Sequence, residues 1–178
     1  KFPNWGMAYS GRFIALDLEE FPAATRAVFL SDVLEDSPSP EYDLTEKTLP
    51  RLSSNTLVNR FVHGVEIISN QGGGARMGYT IFGINGLAPT LTASTSRHYE
   101  RYKIGDSYRR LTPVEYARLQ GFPALHCRVA SAYDQYSLLG NAIPPPLVEW
   151  VMRRWVLNEA TWTATYDLNE LQGELFDA

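Results

Sequence analysis

The segment Arg110-Leu111-Thr112-Pro113-Val114-Glu115 constrains the fold of this chain more than any other. Threonine is a preferred N-cap, proline suits the first helical position, and a glutamate three residues after the threonine closes a capping box. A helix is therefore predicted over 113–120, stopped by Gly121 and kept from resuming by Pro123. A short helix near Ser131 to Leu139 ends at Gly140, and the prolines Pro144 to Pro146 open a longer one of about Leu147 to Ala160. Leu147, Val148, Val151 and Trp155 give that helix an apolar stripe, with Trp150 and Trp155 as its packing residues. The acidic tail that follows has no basic residue and reads as frayed or partner-bound.

Upstream the pattern changes. Residues 12–18 (RFIALDL) read as a strand, Ser37-Pro38-Ser39-Pro40 as a linker, and 43–59 as a broken helix interrupted at Pro50. GVEIISN (64–70), MGYTIFGI (77–84) and APTLTAS (88–94) read as short strands. Gly72-Gly73-Gly74 makes a loop between the first two, and Asn85-Gly86 a turn between the others. The fold class is α+β: a small, twisted, loop-rich β region followed by helices.

The chain has 178 residues, 44% hydrophobic and 20% charged, enough for a packed core and inconsistent with wholesale disorder. No apolar run approaches the roughly 20 residues of a membrane span, and no signal-peptide pattern opens the chain. Its first residue is Lys1 rather than Met, as expected where upstream sequence was cut, processed or left out. A single cysteine, Cys127, excludes an internal disulfide and a cysteine-based zinc cluster, and fits a reducing compartment. His63, His98 and His126 are scattered without metal-ligand spacing, so no metal is expected.

Net charge is −4, which taken alone argues against a nucleic-acid partner. Its distribution argues otherwise, because residues 60–110 carry seven basic and three acidic groups between two acidic ends. Within that region Arg97-His98-Tyr99-Glu100-Arg101-Tyr102-Lys103 and Tyr108-Arg109-Arg110 interleave cations and rings. The stretch reads either as a nucleic-acid surface or as a solvated strand face with snorkelling side chains. The glycine loop is either a surface turn or an anion cradle. It is flanked by Gln71 and Arg76, residue types that read adenine and guanine edges.

Two segments resemble a known family. Residues 108–123 (YRRLTPVEYARLQGFP) closely resemble motif IX of DNA (cytosine-5) methyltransferases, and Leu139-Gly140-Asn141-Ala142-Ile143-Pro144-Pro145 resembles their motif X. Order and separation also match, and Ala88-Pro89-Thr90-Leu91-Thr92-Ala93 is similar to the Thr-Leu element of the family's target recognition domain. The family's second motif IX arginine is Val114 here, a departure that implies loss of a structural ion pair. The chain has no Pro-Cys nucleophile, no Glu-Asn-Val, no F-x-G-x-G opening and no Gln-x-Arg-x-Arg element. Cys127 follows motif IX, on the wrong side of the fold to replace the nucleophile.

The resemblance implies a division into three parts. Residues 1–40 are a strand and linker leading from a catalytic domain, 41–125 a target recognition domain including motif IX, and 126–178 a hinge and C-terminal helices. These helices would complete a Rossmann-like methyltransferase domain supplied by missing sequence or by another chain, as in a split enzyme. Gln71, Arg76 and Arg97 are the implied base readers, with Thr90 and Lys103 on phosphates. Arg110, Thr112 and Glu115 would brace the junction. Asn141, Ala142 and Ile143 would line the S-adenosylmethionine site, or Gly140-Asn141 merely forms a turn between helices. The implied activity is methylation at C5 of a flipped-out cytosine in double-stranded DNA, with a catalytic subunit or fused N-terminal domain as partner. The chain alone is expected to be inactive. The implied setting is the cytoplasm of a bacterial or phage-infected cell, at the nucleoid, with restriction-modification as one context. The alternative is a stand-alone sequence-specific DNA-binding module.

Overall fold

The computed structural model describes residues 28–45, 56–70, 79–93 and 100–153. Two 3₁₀ turns, Leu30–Val33 and Pro40–Tyr42, precede five strands: β1 (Thr56–Val62), β2 (Val65–Asn70), β3 (Thr80–Phe82), β4 (Arg101–Ile104) and β5 (Ser107–Arg109). Helices α1 (Pro113–Gln120), α2 (Ala132–Asn141) and α3 (Pro145–Val151) follow. The strands form one sheet in chain order, antiparallel throughout except for the parallel β3–β4 pair. The architecture is the expected α+β.

The β1–β2 hairpin turns through His63 and Gly64, both at positive φ (50° and 82°), as a two-residue turn requires when its twist matches that of the strands. At 43–45 and 56–59 this departs from the broken helix expected over 43–59, whose middle, 46–55, lies outside the described residues. Residues 56–59 lie in β1, and Asp43 bridges Arg109 at the far edge of the sheet. Pairing with β2 decides the conformation, since the β1 sequence does not alternate. Its ladder shifts register between Leu57 and Arg60, where Asn59 sits at φ 40°.

APTLTAS is likewise no strand: residues 88–92 run without ladder partners. Pro89 has no N–H to give, and the Thr92 N–H donates instead to the Glu100 carboxylate at 2.5 Å. The turn at Asn85-Gly86 exists, but it joins the sheet to the first 3₁₀ turn. Ile84 and Gly86 carbonyls accept the Ser31 and Leu30 N–H groups at 3.0 and 2.9 Å. The strand expected over 12–18, the glycine run, Trp155 and the acidic tail lie outside the described residues.

α1 has the predicted bounds. Gly121 caps it at φ 75°, a left-handed conformation that glycine adopts without strain. Ser131 caps α2, which continues through Gly140 to Asn141 rather than ending before it. The core lies between the sheet and the first two helices: Leu30, Val33, Phe82, Tyr102, Leu111, Tyr116, Ala117, Tyr136 and Leu139. Tyr116 meets Tyr136 edge-on at 4.9 Å, joining α1 to α2.

Candidate functional site

The capping box at the start of α1 is also the centre of a buried polar lock. The Thr112 hydroxyl accepts the Glu115 N–H at 3.1 Å, and the Glu115 carboxylate accepts the Thr112 N–H at 2.7 Å. Arg109 from β5 meets the same carboxylate with both terminal nitrogens, at 2.8 and 2.6 Å. The side chains of Arg109 and Glu115 are 4% and 0% exposed. The Glu35 N–H adds a further donor at 2.9 Å, and the Thr112 hydroxyl donates to the Glu35 carboxylate. Arg118, one turn on, gives hydrogen bonds to the Val33 and Leu34 carbonyls. The lock thus ties residues 33–35 to the helix with charge-assisted bonds.

Two arginines meet at this junction in different ways. A buried ion pair is present here despite Val114, with Arg109 as its cation and Glu115 as its anion. Strand register places Arg109 inward, opposite Tyr102, and the next residue leaves the ladder. Arg110 braces the junction differently: its guanidinium lies 4.1 Å from the Tyr136 ring centre and 5.7 Å from that of Tyr42. Burial raises the Tyr136 hydroxyl above its ordinary pKa, and Arg110 opposes that shift.

In its described part, from Glu100 on, the basic-aromatic stretch is not a solvated face. Glu100, Arg101, Tyr102 and Arg109 are all buried, whereas Lys103 is half-buried and Asp106 exposed. Glu100 holds together three elements. It opens β4, accepts the Thr92 N–H, and accepts the Tyr116 hydroxyl from α1. Burial first, then the Glu100 charge, push the Tyr116 pKa well up. Of the implied DNA contacts, Thr90 is exposed on the extended segment that Glu100 anchors, and Lys103 lies on β4. Gln71, Arg76 and Arg97 lie outside the described residues.

On the motif X side, Asn141 is exposed and its amide donates to the Ser137 carbonyl at 2.9 Å. Ala142 is half-buried and caps α2 through a 3.2 Å bond to the Leu139 carbonyl. Ile143 is 64% exposed. Leu138, Leu147, Val148 and Met152 are exposed nearby in sequence, while Trp150 turns inward at 5%. The stripe expected to include Leu147 and Val148 therefore faces outward in the described residues.

Other candidates are structural. His126 stacks on Phe122 at 4.7 Å, and Cys127 packs half-buried against the core. Among the described residues no three His, Cys, Asp or Glu side chains gather as a metal site, and no helix is long and apolar enough to cross a membrane. Sequence reasoning missed Arg109, Glu100 and Gly140. Their only signal was context: charge beside a capping glutamate, an acid at the head of a strand, and a glycine inside a helix.

Residues 14–156 match the family described as C-5 cytosine-specific DNA methylase. The fold is similar to that in the crystal structure of S. pombe Dnmt2 methyltransferase, with a TM-score of 0.53 and 17% sequence identity. That similarity covers 75% of this chain and 43% of the other, so the chain spans less than half the length of that protein. No curated protein matches it.

Proposed function

Because the chain belongs to the C-5 cytosine-specific DNA methylase family, we propose that it is the DNA-recognition part of a cytosine-5 methyltransferase. It would hold the target recognition domain and the closing helices, with the catalytic half fused upstream or carried by another chain. The observation that supports this most is the outward apolar set Leu138, Ile143, Leu147, Val148 and Met152, flanking Asn141. Exposed apolar side chains concentrated in one short stretch of chain suit a face that another body covers.

In this reading Gln71, Arg76 and Arg97 read bases, while Thr90 and Lys103 touch phosphates. Asn141, Ala142 and Ile143 close one side of the S-adenosylmethionine site, and the cofactor supplies the methyl group when bound. The divisions at 40/41 and 125/126 separate linker, recognition domain and closing helices, with Leu30–Glu35 as the join. No catalytic group is assigned to this chain. A target cytosine must leave the stack before C5 can be reached, and the recognition side of the cleft holds the duplex while it does.

The test is transfer of labelled methyl groups from S-adenosylmethionine to duplex DNA. The chain alone gives none, and the chain combined with a catalytic half bearing Pro-Cys and F-x-G-x-G elements does. Incorporation by the chain alone refutes the reading. Specific duplex binding with no catalytic half that ever activates it favours the stand-alone binding module. Charge reversal at Arg76, Arg97 and Lys103 lowers DNA affinity and flattens its dependence on salt.

A further inference from the structure

Glycine is among the poorest residues for a helix interior, yet Gly140 lies within α2. The structure shows what its missing side chain permits. A Cβ at position 140 would lie 2.6 Å from the Ala93 nitrogen and 2.7 Å from the Ala93 Cα and the Thr92 carbonyl carbon. These are backbone atoms, so no side-chain rotation relieves the overlap. The motif X helix therefore rests directly on the backbone that follows Thr90. From another direction Glu100, 1% exposed, binds the Thr92 N–H and the Tyr116 hydroxyl. The segment has no ladder partners of its own; Leu91 packs against the core, Thr92 reaches Tyr116 through its side chain, and Glu100 and the close approach of Gly140 complete its seat. Gln120 adds rigidity by donating to the Leu139 carbonyl at 3.0 Å.

We infer that Gly140 and Glu100 are positioning residues for target selection: they seat Thr90–Ala93, the stretch that leads to the proposed base reader Arg97, between motif X and motif IX, so sequence discrimination depends on positions that touch no DNA. The inference rests on the DNA-recognition reading and deepens it. The motif X turn that carries Asn141–Ile143 and the segment that carries Thr90 then move as one body. A displacement at either is felt at the other.

The experiment offers the complex with its catalytic half a pool of duplexes carrying a short randomised core. Total bound DNA and the sequences enriched are both measured, below the melting temperature of every variant. The wild type enriches one sequence. Gly140→Ala and Glu100→Ala each lose about tenfold or more of that enrichment, on the scale of one mismatched base pair. Total binding and its salt dependence stay within about twofold, since Thr90 is an uncharged contact and the cationic phosphate contacts, Lys103 among them, lie off the segment. Glu100→Gln retains discrimination, because an amide of the same shape still accepts the Thr92 N–H.

Enrichment by Gly140→Ala and Glu100→Ala equal to wild type overturns the inference. So does a parallel fall in enrichment and total binding in both, which marks a merely structural role. If Gly140→Ala does not fold, the Glu100→Ala and Glu100→Gln pair decides. A wild type that enriches no sequence overturns the DNA-recognition reading itself and this inference with it.

Discussion

Replacing Arg109 by methionine isolates the energetic role of the buried lock. The substitution keeps much of the volume and removes both guanidinium bonds to Glu115. A fully buried carboxylate then keeps only the N–H groups of Thr112 and Glu35 as donors among those described. Removing one partner of such a pair costs about 3–5 kcal/mol, and the two remaining donors place this case near the lower end, about 3 kcal/mol. For a chain of this size that corresponds to a fall in Tm of about 6–12 °C. Urea unfolding of the full chain, followed by circular dichroism, reads the change as a shift in midpoint at constant slope. Adding Glu115→Gln to Arg109→Met removes the stranded charge while keeping an acceptor for the cap, and recovers about 1.5 kcal/mol or more, within the range of coupled buried pairs. A single variant within about 1 kcal/mol of wild type, or a double variant no better than the single, refutes the reasoning.

Alkaline titration tests the buried tyrosines. Burial raises Tyr102, Tyr116 and Tyr136 above the ordinary value of 10.0, so each favours folding below pH 10 and loses that contribution as pH rises toward its folded value. Each contributes a slope of about 1.4 kcal/mol per pH unit above pH 10, and tyrosinate absorbance from these residues appears only together with loss of helical ellipticity. Titration of all the tyrosines while the chain stays folded contradicts the burial. Gly121→Ala forces a side chain into φ 75° and lowers stability by about 1 kcal/mol in thermal denaturation, with Gly121→Asn lowering it less.

The parts that were legible in the sequence are those that local chemistry decides. Thr112, Pro113, Glu115 and Gly121 specify α1 within ten consecutive residues, and the structure reproduces its bounds. β1 was illegible because its apolar residues do not report burial. Leu57 and Phe61 are 71% and 59% exposed, and the bulge near Asn59 breaks the period of two. The cation stretch misled for the opposite reason. Arg109 looks like surface charge, and only the three-dimensional arrival of Glu115 makes its burial tolerable. Gly140 read as a helix terminator because the backbone it accommodates lies nearly fifty residues away in sequence. Family resemblance named the candidate segments, and packing alone revealed how Thr90–Ala93 is seated.

The attachment of residues 30–35 bears on how such an enzyme can be dissected. Leu30 and Ser31 are stitched to the bend after β3, Val33 and Leu34 to Arg118, and Glu35 to Glu115. A gene divided between Phe29 and Thr45 would put some or all of these groups on a different polypeptide from the bend and helix they bind. Two-piece reconstitution, whether by laboratory truncation or by natural gene fission, should therefore tolerate break points ahead of Phe29 better than break points from Phe29 to Thr45. A scan of cut sites scored by recovery of a soluble pair would map that threshold residue by residue.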